Sequence, residues 1–264
     1  MIPYPHIDPV AIRLGPFPIH WYGLMYVVGF GFVWYLGRRK ARTSSLGLTP
    51  KDVEDLVFFG ALGAVIGGRL GYMLFYNIGT LFQDPLQFFK VWEGGMSFHG
   101  GLLGVFVAFW LFGRTRGKRV LDLTDFVAPF APIGFFAGRI GNFINGELWG
   151  SPSSVPWAMV FPGGGPLARH PSQLYEALLE GVALFLILWV FTLKPRPRMS
   201  ATGLGLLCYG IFRFFVEFFR MPDQQIGYLA FDWFTMGQLL STPMILCGAG
   251  LLLFSYKKQD KPLP

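Results

Sequence analysis

The sequence predicts an all-α polytopic membrane protein of about seven transmembrane helices. Three observations carry that expectation. Of 264 residues, 53% are hydrophobic and only 14% charged, against roughly 25% charged in a soluble domain. Mean hydropathy is +0.46. The apolar residues gather into segments near the roughly 20 residues that cross a bilayer, and Lys and Arg recur in alternate connections between them.

Residues 1–19 are proline-rich and read as an extended or interfacial lead-in. The first span runs from about His20 to Gly37, followed by the basic loop RRKARTSSLGLTPK. The second runs from about Glu54 to Tyr76, with an aromatic connection behind it carrying Asp84, Lys90 and Glu93. The third begins near Ser97 and ends at Gly113, before the basic RTRGKR. The fourth, about Asp122 to Phe143, contains Pro129 and Pro132 and is expected kinked or broken. Residues 144–172, crowded with Gly, Pro and Ser, read as a loop-built excursion. Span five covers about Gln173 to Leu193, span six about Thr202 to Arg220, and span seven about Thr235 to Phe254. The chain reads as one integral membrane domain, 1–264, with the excursion inside it.

Basic residues set the orientation. Of 22 Lys and Arg, five follow span one, four follow span three, three follow span five and three lie in the tail. The opposite side holds Arg13, Lys90 and Arg169. Positive residues stay inside, so the N-terminus and the excursion face outward and the C-terminus is cytoplasmic. The net charge of +7 thus speaks of orientation and anionic lipid, and basic residues never interleave with aromatics on a soluble face, so no nucleic-acid partner is expected. Cys208 and Cys247 read as small core residues, with no disulfide and no metal site implied. No basic n-region or cleavage site is seen, so no removable leader is expected.

The remaining arginines, Arg69, Arg139, Arg213 and Arg220, fall within or at the outer ends of spans. A charge at the centre of a membrane helix costs about 2.5–3.5 kcal/mol, so four near one leaflet suggest a shared anionic ligand. Arg139 belongs to FAGRIGNFINGELWG (136–150), the stretch around which the chain is organised. Arg139, Asn142 and Asn145 stand at three-residue steps on a helix face that Gly146 can end, with Glu147 beyond. Together these groups can grip a phosphate or a hydroxyl-rich head group. Tyr209, Arg213, Glu217 and Arg220 form a second stripe. The bland reading there is a self-neutralised pair, but two arginines face one glutamate.

MSFHGGLLG supplies His99 at a helix start, beside Gly100, Gly101 and Gly104, which admit close approach by another helix or a lipid chain. Such a histidine is either structural or a base. GGRLGY carries Arg69 and Tyr72, and HWYG carries His20, Trp21 and Tyr22, an aromatic belt or a site. RHPSQLYE gives Arg169, His170, Ser172, Gln173 and Glu176, with a helix expected to start after Pro171. There is no GxxxxGK[ST] and no HExxH.

HGGLLG at 99–104, GRIGNFINGELWG at 138–150, RHPSQLYE at 169–176 and YGIFRFFVEFFRMPD at 209–223 closely resemble the bacterial phosphatidylglycerol–prolipoprotein diacylglyceryl transferases. GGRLGY and HWYG also fit, and the likeness runs in order along nearly the whole chain. It implies a multi-pass enzyme of the bacterial cytoplasmic (inner) membrane with a periplasmic head. It implies transfer of the sn-1,2-diacylglyceryl group of phosphatidylglycerol to the lipobox cysteine thiol of a preprolipoprotein signal peptide, with glycerol-1-phosphate leaving. The nucleophile belongs to the substrate, and no cofactor is required. Catalytic roles fall to His99 as base and to Arg139 and Arg213 at the phosphate. Substrate binding falls to Tyr22, Arg69, Asn142, Asn145, Glu147, Gly150, His170, Tyr209, Glu217 and Arg220. His170 or a tyrosine stays open as the base. The alternative is an anionic-lipid transporter or flippase. A signal-peptide chaperone without chemistry leaves the arginine excess unexplained.

Overall fold

The computed structural model describes residues 2–15, 17–44, 46–75, 77–90, 95–222 and 227–257 and is mostly helical. Tyr76, Glu93, Asp223, Lys258 and Lys261 lie outside the described residues, as does the side chain of His99. Strands β1 (Val10–Leu14) and β2 (Phe17–His20) pair antiparallel. The lead-in is therefore a hairpin: Val10, Ile12 and Ile19 favour extended backbone, and Gly15 takes φ 60° at the turn.

Helix α1 (Trp21–Ala41) ends on Arg38, Arg39 and Lys40, cations suited to a helix C-terminus. Helix α2 (Pro50–Phe75) starts where Thr49 donates its backbone N–H (2.8 Å) and hydroxyl (2.7 Å) to Asp52. Then come α3 (Ile78–Gln83) and a 3₁₀ turn, Pro85–Phe89. Ser97 caps α4 (Phe98–Arg116), accepting from the Gly100 N–H at 3.2 Å, and Gly117 ends it at φ 63°. Helices α5 (Val120–Val127) and α6 (Ala131–Asn145) meet at a 56° bend, where the prolines foretold a break. After the excursion, α7 (Ser172–Glu176), a π-helical stretch (Ala177–Ala183) and α8 (Leu184–Phe191) run on without interruption. Helix α9 (Ser200–Val216) tightens into a 3₁₀ turn, Glu217–Phe219. A small hairpin, β3 (Tyr228–Ala230) with β4 (Phe234–Thr235), leads to α10 (Met236–Lys257).

Among the described residues four helical runs are long and apolar enough to cross a membrane: Pro50–Phe75, Ser172–Phe191, Ser200–Phe219 and Met236–Lys257. The bent pair α5–α6 makes a fifth if counted as one span. Helices α1 and α4 have 21 and 19 residues. In α1 the Trp, Tyr, Gly and terminal arginines dilute the hydropathy that length alone would satisfy.

The chain divides into two compact units, Leu36–Thr124 and Met1–Tyr35 with Asp125–Pro264. In the first, α2 and α4 pack backbone to backbone. A Cβ on Gly67 would fall on the Gly100 carbonyl, one on Gly104 on the Gly63 carbonyl, and one on Gly71 at 2.9 Å from the Gly100 Cα. The glycines flagged at 100 and 104 thus admit a neighbouring helix, the small-residue contact that replaces hydrophobic drive in lipid. In the other unit, Gly203 and Gly248 bring α9 and α10 together in the same way. Cys208 is half-buried and Cys247 exposed, so the core-filler reading fails for Cys247.

Candidate active site

Helix α6 sets the site out. Gly146 ends it in a left-handed cap at φ 66°, its N–H returning to the carbonyls of Asn142 and Phe143. Tyr4 clamps the same end, its hydroxyl donating to the carbonyls of Phe143 (2.7 Å) and Ile144 (3.0 Å). Burial pushes the Tyr4 phenol up from its ordinary value. Three-residue steps turn back about 60° each on an α-helix, so Arg139, Asn142 and Asn145 fan out. The two asparagines go to Glu147, whose Oε1 accepts from Asn142 Nδ2 at 2.8 Å and Asn145 Nδ2 at 3.3 Å. Arg139 goes elsewhere.

Among the described residues six ionisable side chains meet there. Arg139 places Nε 2.5 Å from Glu176 Oε2 and Nη2 3.4 Å from Glu180 Oε2. Arg213 places Nη1 3.5 Å from Glu176 Oε1 and Nη2 2.9 Å from Glu217 Oε2. Arg220 places Nη1 2.8 Å from Glu176 Oε1 and Nε 3.5 Å from Glu217 Oε2. Glu176 and Glu180 are 1% and 0% exposed. Tyr209, packed on Phe135 at 5.1 Å between ring centres, lies within electrostatic reach of Arg139, Glu180 and Arg213. Tyr22 hydrogen-bonds Tyr26 at 3.1 Å and lies within reach of both Glu147 and Arg139. The Tyr22 ring fills the space that a Cβ on Gly141 would need.

The expectation of excess positive charge is corrected by this geometry. Three arginines meet three glutamates, and the cluster is formally neutral. The reason is physical: unpaired charges buried in an apolar span are too costly, so carboxylates enter with them. Glu180 was missed by sequence reasoning and Glu176 was given no role. Both stand inside QLYEALLEGVALF, four residues apart, and a census of acidic as well as basic residues in spans would have found them.

Other expected site residues have different surroundings. Arg69 is 2% exposed. Its guanidinium donates to the carbonyls of Gln87 (2.5 Å), Phe88, Gly95 and Lys90 (each 3.1 Å), stapling the connection behind α2. These bonds give Arg69 a structural part in holding that connection. Gly150 is a crossing point: its N–H donates to the His170 carbonyl at 2.9 Å, and its backbone pairs with that of Arg220. A Cβ there would strike the Phe219 carbonyl and His170, so its contribution is to let Arg220 approach. His170 packs edge-on against Phe219 and bonds the Tyr175 hydroxyl through Nδ1 at 3.0 Å. Burial lowers its pKa from the usual 6.5, so it is neutral at pH 7. Helix α7 does start after Pro171. Ser172 and Gln173 tie it to the 147–148 turn, donating to the carbonyls of Leu148 (3.0 Å) and Glu147 (2.5 Å). The same turn holds Leu148 at φ 57°, a strained value for a side chain of that size. His99 lies in the first turn of α4, in the unit that does not contain the arginine cluster.

A family model described as prolipoprotein diacylglyceryl transferase matches residues 9–254. The chain belongs to that family. It is 59% identical over 258 residues to a phosphatidylglycerol–prolipoprotein diacylglyceryl transferase of Pseudomonas paraeruginosa, covering 98% of this chain and 97% of that one. It is 59% identical over 261 residues to a protein of the same name from Coxiella burnetii, covering 99% of this chain and all of that one. The family's members named here are transferases, and a transporter or flippase is not favoured. Family membership also accords with the several apolar helices of a multi-pass membrane protein.

Proposed function

We propose that this protein moves the sn-1,2-diacylglyceryl group of phosphatidylglycerol onto the thiol of a lipobox cysteine in a preprolipoprotein, releasing glycerol-1-phosphate. The observation that carries the reading is full-length likeness at 59% identity to proteins named for that transfer. The cysteine sulfur attacks the glycerol carbon that bears the phosphate ester. The carbon–oxygen bond breaks, its electrons stay on the phosphate oxygen, and the thiol proton goes to a base. Free cysteine has a pKa near 8.5 and is mostly protonated at neutral pH, so a positioned base contributes about 10²–10⁴-fold. His99 is the residue proposed for it.

The leaving phosphate gains negative charge, and fixed guanidiniums aimed at that charge stabilise it. Arg139 and Arg213 take this role, with Arg220 assisting. Arg139 uses Nε and Nη2 on the glutamates, and among the described residues Nη1 has no ion-pair partner. That nitrogen is the one directed to a phosphate oxygen. Glu217 orients Arg213. Asn142 and Glu147, joined by their hydrogen bond, suit the head-group glycerol hydroxyls, with Asn145 beside them. Tyr22 and Tyr209 orient the phosphate. The chain serves as one seven-span domain of the bacterial inner membrane, N-terminus periplasmic and C-terminus cytoplasmic, with residues 144–172 as a periplasmic head. Both substrates then arrive from the bilayer.

The test is reconstitution of purified protein with phosphatidylglycerol vesicles and a lipobox peptide. The expected product is a peptide heavier by one diacylglyceryl group, with stoichiometric glycerol-1-phosphate. Intact phosphatidylglycerol moved between leaflets, with no modified peptide, would overturn the reading in favour of a transporter.

A further inference from the structure

We propose that Glu176 is the positioning residue of the arginine cluster, the carboxylate whose two oxygens space the three guanidiniums for a phosphate. The proposal rests on the transferase reading for what the guanidiniums act upon, and on geometry alone for how they are held. Oε2 of Glu176 takes Arg139 from α6, and Oε1 takes Arg213 and Arg220 from α9 and the turn beyond it. Among the described residues no other side chain contacts all three arginines. Glu217 holds only Arg213 and Arg220, and Glu180 only Arg139.

The two sides of the cluster come from separate helices, and three like charges repel one another. Without a central anion the arginines from α6 and α9 have no common partner to keep them in register. Glu176 is itself fixed. It ends α7, whose Ser172 and Gln173 are hydrogen-bonded to the turn carrying Glu147. One short helix thus sets both the arginine cluster and the head-group carboxylate, so their separation is decided by backbone and not by loop sampling. Directly after Glu176 the helix widens into the π-helical stretch, a local irregularity that is frequent at functional sites. A purely structural ion pair needs one partner per charge. Glu176 instead serves three guanidiniums and leaves Nη1 of Arg139 out of the ion pairs.

The experiment uses the full chain in phosphatidylglycerol vesicles, as wild type, Glu176→Gln, Glu176→Asp and Glu180→Gln. One readout is labelling of Arg139, Arg213 and Arg220 by phenylglyoxal, followed by peptide mass. The other is kcat and KM with a lipobox peptide. Glutamine keeps the shape but turns one oxygen into an N–H₂ that opposes a guanidinium. In Glu176→Gln, labelling of Arg139 and Arg220 should rise several-fold. A misplacement near 1 Å costs about 100-fold, so kcat should fall by roughly that factor while KM for lipid holds. Glu176→Asp should recover part of both, and Glu180→Gln should change labelling at Arg139 alone. Wild-type labelling or wild-type kcat in Glu176→Gln would overturn the proposal. If the wild type gives no transfer, the transferase reading fails while the labelling still decides the role of Glu176.

Discussion

Replacing Arg139 by lysine and by alanine separates its chemistry from its part in folding. Arginine presents three nitrogens. Two hold Glu176 at 2.5 Å and Glu180 at 3.4 Å, and the third is available to a phosphate. Lysine keeps the positive charge on one nitrogen and cannot span two carboxylates and a ligand together. Loss of one preorganised donor at a developing charge costs about 2.7–4 kcal/mol, or about 10²–10³ in kcat. Arg139→Lys should show that loss with little change in thermal stability. Arg139→Ala loses the charge as well. Glu176 then still has Arg213 and Arg220, but Glu180, 0% exposed, loses its ion-pair partner. Breaking a buried pair costs about 3–5 kcal/mol, and the partners left to Glu176 put this case at the low end. Adding Glu180→Gln to Arg139→Ala removes the stranded charge and should return stability without activity, a coupling that a double-mutant cycle measures. The assays are turnover in phosphatidylglycerol vesicles and thermal unfolding in detergent. Wild-type kcat in Arg139→Lys, or a double variant no more stable than Arg139→Ala, would refute the assignment.

The packing of α2 on α4 makes a matched pair of glycine predictions. Gly104→Ala drives a methyl into the Gly63 carbonyl and should cost about 1–3 kcal/mol, as overpacking does. Gly138→Ala, with nothing within 4 Å of the added carbon, should be neutral or stabilising by up to about 1 kcal/mol. Thermal unfolding of the two variants checks both. His170 predicts a pH effect of definite sign. Its folded pKa is lowered by burial from 6.5, so below that value the unfolded chain binds more protons than the folded one. Its contribution is fully present above pH 6.5 and is lost as pH falls through the lowered folded value. In limited proteolysis, cleavage within 150–170 should increase below pH 6.5, and His170→Gln should remove that dependence.

Much of the fold was legible because it follows from solvent. A bilayer demands long apolar helices, and those segments stand out in composition. Pro129 and Pro132 announced the bend between α5 and α6, since proline removes a helical donor wherever it stands. Gly100 and Gly104 announced a close helix contact. The amino-terminal hairpin was not legible. Its pairing depends on Gly15 turning the chain at φ 60°, and in a proline-rich segment that choice is indistinguishable from a simple extended run. Nor was the end of α9 legible. The stripe Tyr209, Arg213, Glu217, Arg220 keeps its register, yet the helix tightens at Glu217, where Arg220 leaves to pair with Gly150.

The site was legible one charge at a time and not as a whole. Arg139 and Arg213 stood out because a guanidinium in an apolar span needs a reason, and a ligand is the first reason that comes from the basic residues alone. Glu217 stands on Arg213's own stripe, but Glu176 and Glu180 lie on α7 and the π-helical stretch after it, distant in sequence, and no periodicity within one helix reports on a neighbour. Electroneutrality does report on it. Four arginines within or at the ends of apolar segments imply either anions brought by substrate or anions built into the fold. The structure answers for each in turn: backbone carbonyls for Arg69, and Glu176, Glu180 and Glu217 for the other three. A neutral cluster that is to stabilise a departing phosphate must therefore act through direction more than through net charge. That places the catalytic weight on what holds the guanidiniums in place, and on Glu176 before any other residue of the cluster.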